Sequence, residues 1–151
     1  MSVNLTNEVD HDHRVVFRMM QEIERLVAVP DRMSVRDELL DALSALLDDA
    51  LDHFAREEAW LFPALREQSP SFDAPITELE RGHDALAGVA QRMIHMVTVP
   101  SAEHGQLGLL AQRLKREYEE HVVAEHKLLE DAAKTLTPEQ RRELAMLMHR
   151  D

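Results

Sequence analysis

The sequence predicts an all-α protein, an antiparallel up-down-up-down four-helix bundle with a short fifth helix at its C-terminal end. Glycine and proline are few, with four and six among the 151 residues. No stretch alternates β-branched with polar residues in the way that a half-buried strand does. Breaks that contain proline divide the chain into four long helical segments, and their short connections make neighbouring helices antiparallel. With 44% hydrophobic residues, we expect a single domain over residues 1–151, with the bundle over about 8–134.

The first two helices are delimited by proline and by a candidate cap. Helix 1 is expected over about residues 8–29, because the residue that precedes Pro30 is disfavoured in the helical region. Helix 2 is expected over about 34–67. Its start is assigned to Ser34, whose hydroxyl can cap the free amides, with an acidic residue three positions later as in a capping box. Pro63 is expected to kink this helix near its end.

The remaining helices follow the clearest loop of the chain, QSPSFDAP. Pro75 suits the first turn of helix 3, expected over about 75–97. Pro100 and Ser101 then break the chain, and helix 4 is expected over about Glu103–Lys134. A cap at Thr137, a first-turn proline and a glutamine three residues after the cap predict a short fifth helix over about 138–150.

Composition argues against several classes of function. The formal net charge of −12 repels phosphate backbones, so we expect no nucleic-acid partner. The absence of cysteine excludes disulfides, thiolate metal sites and a cysteine nucleophile. No secretory run opens the sequence and no apolar stretch is long enough to span a bilayer, so we expect a soluble, cytoplasmic protein that does not associate with membranes.

Each predicted helix has a histidine on the stripe that faces the core, found by steps of three and four residues. Helices 2 and 4 add a glutamate one turn later, in the segments HFARE and HVVAE. In an antiparallel bundle with about 1.5 Å of rise per residue, all four histidines fall at one level near one end. The six residues are His13, His53, Glu57, His83, His121 and Glu125.

Charged groups buried on these stripes need compensation, because an unpaired buried carboxylate costs many kcal/mol. Four imidazoles and two carboxylates in a dry core form a site for two cations, with the carboxylates between them. Six protein groups leave each cation an open position, and open positions bind small molecules. Tyr118 lies on the same stripe one turn before His121, and is the candidate catalytic residue as a hydrogen-bond donor or further ligand.

The sequence resembles the hemerythrin-like, or HHE cation-binding, family over about residues 8–130. The resemblance lies in DHR with His13, HFAREEAWLFP with His53 and Glu57, ERGHDAL with His83, and HVVAEHKLLE with His121 and Glu125. It implies two non-haem iron ions in an up-down-up-down bundle, bridged by Glu57 and Glu125, with the four histidines as terminal ligands. An oxo bridge between the irons is compatible with this arrangement.

The resemblance also indicates a direction for function. Oxygen-carrying hemerythrins have a further histidine and an aspartate where this sequence has Ala87 and His126. The pattern is closer to bacterial di-iron proteins implicated in nitrosative stress and in repair of iron centres. It implies a centre that binds or reduces O2, NO or peroxide, and, if the protein is an enzyme, a di-iron oxidoreductase. The alternatives are an iron or oxygen sensor that meets a protein partner without turnover, and a bundle without metal.

Simpler interpretations of individual residues stay open at this point. A single histidine on the stripe can be a hydrogen-bonded core residue, Glu57 can lie in a solvated face, and the Tyr118 hydroxyl can be satisfied elsewhere. We expect surface exposure for His11 and His126, although a distorted helix 4 would make His126 a ligand. Packing around the pocket is expected for Trp60, Phe62, Met20 and Met93. No role is assigned to His95, His104 and His149.

Overall fold

The structure is a computed structural model and describes residues 4–99 and 105–149. The described residues form helices and no strand, which confirms the predicted all-α class. The helices are α1 (Leu5–Val27), α2 (Arg36–Arg56), a π-helical turn (Glu57–Leu61), α3 (Phe62–Gln68), α4 (Asp73–Thr98), α5 (Gly105–Thr135) and α6 (Pro138–Met148). Short 3-10 turns at Arg32–Val35 and Pro70–Phe72 precede α2 and α4.

Four long helices pack as a closed ring. The helix α2, the π-helical turn and α3 follow one another without a break and count as one of the four. The helix α1 packs against α2, α2 against α4, α4 against α5, and α5 against α1. This arrangement is the predicted bundle, with α6 as the short additional helix, which packs against α1 and the π-helical turn.

The predicted cap at Ser34 is wrong. Residues 32–35 form a 3-10 turn, and α2 begins only at Arg36. The Ser34 hydroxyl donates to the carbonyl of Asp31 at 2.7 Å, and the Ser34 amide donates to the same carbonyl at 3.2 Å. The serine therefore closes a turn and does not adopt the extended backbone that an N-cap requires.

Pro63 is accommodated by the π-helical turn that precedes it. Proline has no N–H and clashes with the carbonyl four residues back in an ordinary helix. Here the Phe62 amide donates to the Glu57 carbonyl five residues back, so the turn widens before the proline. The extra residue rotates Trp60 outward, where it is 46% exposed, and buries Leu61 and Phe62. The prediction that Trp60 packs around the pocket is therefore wrong, because that count assumed an uninterrupted α-helix.

The other helix boundaries lie close to the predicted ones. The helix α1 begins at Leu5, three residues early, with the Asn4 side chain as its cap. The predicted capping box of the fifth helix is confirmed: the Gln140 amide donates to the Thr137 hydroxyl at 3.1 Å, and the Thr137 amide donates to the Gln140 side chain at 2.9 Å. The predicted break at Pro100 and Ser101 and the predicted helix start at Glu103 lie outside the described residues.

The buried polar residues lie between two apolar clusters. One cluster runs along the middle and far end of the bundle, from Val16 to Tyr118. The other joins Leu5 and Val9 of α1 to residues of the π-helical turn, α3, α4, α5 and α6. The site is therefore enclosed on both sides, because the early start of α1 and the packing of α6 add a second core beyond the predicted level. Within the described ranges, no helix has the length and apolar character needed to cross a membrane.

Candidate metal centre

The structure brings together all six of the residues that the sequence pattern selected, and all six are buried. Their exposed fractions are His13 4%, His53 2%, Glu57 0%, His83 3%, His121 6% and Glu125 0%. The inward orientation expected of Glu57 is thus confirmed, while its neighbour Glu58 is 42% exposed. Each long helix supplies one histidine, and the ring of helices aims them at the same point.

The six side chains form two groups, each with two imidazoles and one carboxylate. The first group is His13, His53 and Glu125, and the second is Glu57, His83 and His121. Within each group the potential ligand atoms lie within 4.8 Å of one another. This spacing matches one cation per group, because nitrogen and oxygen atoms around a common ion must all lie close together.

The two carboxylates connect the groups. The Glu57 Oε1 atom lies 3.2 Å from His83 Nε2 in its own group and 3.2 Å from His53 Nε2 in the other. The Glu125 Oε2 atom lies 3.3 Å from His13 Nε2 and 3.2 Å from His121 Nε2. Each carboxylate therefore contacts histidines of both groups, as a carboxylate that bridges two metal ions must.

Several buried atoms at the centre have no hydrogen-bond partner among the described residues. They are Nε2 of His53, His83 and His121, both oxygens of Glu57, and Oε1 of Glu125. Buried polar atoms in folded proteins are normally hydrogen-bonded, and those left without a partner need another explanation. Nitrogen and oxygen donors that converge without partners are what a pair of bound cations would satisfy, so these residues fit the metal that the sequence pattern implies.

Sequence reasoning missed Asp12, a buried carboxylate behind His53. The His53 Nδ1–H donates to Asp12 Oδ2 at 2.6 Å, which leaves Nε2 directed at the centre. Arg56 holds the same carboxylate oxygen at 3.3 Å. Metal-bound histidines commonly donate their second N–H to a carboxylate in this way. The available signal was spacing, since Asp12 is one turn from Val9 and Val16 on the buried face of α1.

Glu58 has a comparable role that the sequence did not reveal. Its carboxylate is partly exposed, as expected, yet it accepts a hydrogen bond from His83 Nδ1 at 3.2 Å. The ring of His83 lies between two phenylalanines, stacked on Phe54 at 3.8 Å and facing Phe62 at 5.8 Å between ring centroids. These contacts orient the His83 imidazole and keep water from that side of the centre.

Gly82 allows α4 to approach His121 closely. A Cβ atom at this position would lie 3.0 Å from His121 Nδ1, a distance at which something must move. A surface cleft of about 350 Å³ between α4 and α5 extends to Gly82 and His121. Glycine at this position therefore leaves space on the outer side of the His121 ring.

Tyr118 lies beside the centre and is buried. Its ring is 6.0 Å from His13 in an edge-on arrangement and 6.3 Å from His121. It also lines a small apolar cavity of about 20 Å³ with Phe54 and Met20, which is enough for one water-sized molecule. Burial, with the nearby Glu125 and Glu57 carboxylates, raises the pKa of the Tyr118 phenol, so the hydroxyl keeps its proton.

In the metal-free chain, protons on His53 and His83 compensate part of the negative charge of the buried carboxylates. Burial alone would lower the pKa of His53, but the Glu57 charge and the bond to Asp12 raise it well above the usual value. The pKa of His83 is raised in the same way, chiefly by Glu57 against the effect of burial. Burial opposes ionisation of Glu125, yet its close contacts with Glu57, His121, His13 and His53 hold its pKa well below the usual range.

The remaining histidines lie outside the buried groups. His126 is exposed, as expected, and pairs with Asp10. His11 and His95 are also exposed, and His149 pairs with Glu8. Met20, Phe62 and Met93 are buried, as predicted. His104 lies outside the described residues.

Comparison with known proteins gives one result. The family model described as Hemerythrin HHE cation binding domain matches residues 4–133. This range contains all six buried residues. No curated protein and no solved structure was found to match the chain.

Proposed function

The chain belongs to the hemerythrin HHE cation-binding family, and from this premise we propose that it holds two iron ions and that the centre binds or reduces a small oxidant. The candidate oxidants are O2, NO and peroxide. The proposed ligands are His13, His53 and Glu125 for one ion and Glu57, His83 and His121 for the other, with both glutamates as bridges. Nitrosative-stress response and repair of iron centres are the settings that the resemblance suggests.

The observation that supports this proposal best is the set of unpartnered nitrogen and oxygen atoms at the centre. Mixed imidazole and carboxylate donors without thiolate suit iron and several other first-row metals, and the choice of iron rests on the family resemblance. Six protein groups divided between two ions would leave open positions for a small molecule, and iron bound there would supply the electrons for reduction of an oxidant.

The protein's own contribution is orientation, exclusion of water and control of protons. Asp12 and Glu58 each hold one histidine with its Nε2 atom toward the centre. Phe54 and Phe62 enclose the His83 ring. In the metal-free chain, burial beside two carboxylates raises the pKa of Tyr118, so the hydroxyl keeps its proton, and we propose that it acts as a hydrogen-bond donor at the centre.

Metal analysis and an optical spectrum of protein purified in air test the proposal. We expect two irons per chain, with near-ultraviolet bands that are lost in His53→Ala and Glu125→Ala. His95→Ala, which removes an exposed histidine, is the matched control and should keep both metal and spectrum. Colourless, metal-free wild-type protein whose melting is unchanged in the variants would overturn the proposal.

A second candidate function is an iron or oxygen sensor without turnover. It is favoured by Arg56, which contacts Asp12 behind His53 and also donates to the Met148 carbonyl at the end of α6. A change at the centre can therefore reach α6 through one side chain. Measured turnover of NO or peroxide would support the first function. Absence of turnover, with a metal-dependent change in α6 exposure, would support the second.

A further inference from the structure

A pair of polar residues lies at the rim of the centre, where α1 and α5 meet the surface. The His126 Nε2 atom lies 2.7 Å from Asp10 Oδ1, and the two side chains are 47% and 33% exposed. The ring of His126 is 5.7 Å from the ring of His13. His13, a histidine of the buried centre, therefore lies next to this pair.

His13 supplies the third potential ligand of a rim group. A ring nitrogen of His13, a ring nitrogen of His126 and a carboxylate oxygen of Asp10 all lie within 4.8 Å of one another. His13 is only 4% exposed, and its Nδ1 atom is buried without a hydrogen-bond partner. Its Nε2 atom is paired with Glu125, so Nδ1 is the atom left for an ion at the rim.

Another histidine–carboxylate pair, between Glu8 of α1 and His149 after α6, differs from this one. His149 Nδ1 lies 2.9 Å from Glu8 Oε2, also near the surface. Within the described ranges, however, no third histidine or carboxylate joins that pair to form a potential metal group. The rim group is therefore distinguished by a buried nitrogen without a partner and not by the exposed pair alone.

We propose that Asp10, His13 and His126 form an outer site for a first-row divalent cation, through which metal enters the buried centre. Two imidazoles and a carboxylate suit such a cation, and water can complete its coordination because the pair is exposed. His13 belongs both to this group and to the buried group with His53 and Glu125. One imidazole can therefore serve both sites, with Nδ1 for an ion at the rim and Nε2 for an ion in the buried centre.

This inference rests on the proposed di-metal centre, and its test measures uptake and not activity. Metal-free protein is mixed with Co²⁺, and visible absorption follows the rate of uptake, the final stoichiometry and the final spectrum. The variants are His126→Ala and Asp10→Asn, both at exposed or half-buried positions. His149→Ala is the matched control, because it removes the other histidine–carboxylate pair that a carboxylate of α1 forms near the surface.

We expect His126→Ala and Asp10→Asn to slow uptake by about tenfold or more, in keeping with the loss of a ligand that the ion meets first. With two equivalents of Co²⁺ per chain, enough for the two buried groups alone, the final stoichiometry and spectrum should equal those of the wild type, and His149→Ala should take up Co²⁺ at the wild-type rate. Unchanged uptake in both rim variants would overturn the outer site alone. Slow uptake with an altered final spectrum would also overturn it, because His126 would then act on the buried centre. Wild-type protein that binds no Co²⁺ would overturn the proposed function and this inference together.

Discussion

His53 illustrates how single residues determine the chemistry of the centre. One ring nitrogen donates to Asp12 at 2.6 Å, and the other lies 3.2 Å from Glu57. The bond to Asp12 selects the tautomer whose Nε2 lone pair faces the centre, and such partners also raise the basicity of a ligand. Asp12 thus belongs to the site although it is in neither of the two groups of candidate ligands.

We predict that Asp12→Asn lowers metal affinity by about 10- to 100-fold, because the amide holds the imidazole less strongly. Competition titration of the metal-loaded protein against a chelator measures the change. Asp52→Asn is the control, since Asp52 contacts the same Arg56 at 3.1 Å but is 54% exposed. Equal affinities in the Asp12→Asn variant and the wild type would contradict the role assigned to Asp12.

Two glycines of α4 offer a matched pair. A Cβ atom at Gly82 would lie 3.0 Å from His121 Nδ1, whereas one at Gly88 would meet nothing within 4 Å. We predict that Gly88→Ala raises the free energy of unfolding by about 0.5–1 kcal/mol through lower backbone entropy of the unfolded chain. Gly82→Ala should not show this increase in the free energy of unfolding. It should also bind metal more weakly, because the added Cβ displaces His121.

Urea unfolding and metal titration of both variants check this prediction. Equal stabilisation by the two alanines, with unchanged metal binding in each, would show that His121 does not depend on the close approach of α4.

The raised pKa values of His53 and His83 predict how the metal-free protein responds to pH. The folded chain binds these protons more tightly than the unfolded chain, whose histidines titrate near 6.5. This contribution to stability is fully present below pH 6.5 and is lost as pH rises through the raised folded pKa values. Urea midpoints of metal-free protein should therefore fall as pH rises above 6.5.

Metal-loaded protein is the control for that measurement, because metal-bound imidazoles stay neutral at every pH at which metal stays bound. Its urea midpoint should not show the same fall. A metal-free midpoint that rises over this pH range would contradict the proton assignments at His53 and His83.

At the scale of the elements, the π-helical turn is the feature that sequence periodicity could not reveal. Steps of three and four residues located His53 and Glu57 correctly, because His53 precedes the turn and Glu57 is its first residue. Beyond Glu57 the same count selected Trp60, whereas the structure buries Leu61 and Phe62. Pro63 was recognised as a perturbation, but sequence alone does not determine whether the helix accommodates the proline by a kink or by a wider turn.

The environment of Trp60 tests the turn directly, because it is the single tryptophan of the chain. An uninterrupted α-helix would direct it to the core, whereas the structure leaves it 46% exposed. We predict that acrylamide quenches its fluorescence in the folded protein to a substantial fraction of the quenching seen in urea-unfolded protein. A blue-shifted emission that is protected from acrylamide would contradict the π-helical turn.

The six candidate ligands could be predicted from the sequence, whereas the residues that orient them could not. The six inner residues follow from helix periodicity and the antiparallel order, because those two rules alone bring the stripes to one level. The roles of Asp12 and Glu58 could not be predicted, because they depend on which ring nitrogen of each histidine points away from the centre. That orientation is a property of packed side chains and not of spacing along the helix.

At the scale of the whole molecule, the fold places a charged layer inside an apolar interior. Apolar clusters lie on both sides of the centre, so Glu57 and Glu125 have no access to water. Burial of charge without compensation is costly, and the net charge of −12 further favours cations over anions at the surface. The stability of the bundle and the occupancy of the centre are therefore expected to depend on each other.

Anaerobic titration of metal-free protein with Fe²⁺, followed by its unfolding temperature, tests this dependence most directly. A cation that binds the folded chain but not the unfolded chain stabilises the fold. With one ion for each of the two buried groups, we predict that Tm rises until two equivalents have been added and then stays constant. A Tm that does not respond to iron, or that stops rising after a single equivalent, would contradict a centre in which these six side chains hold two ions.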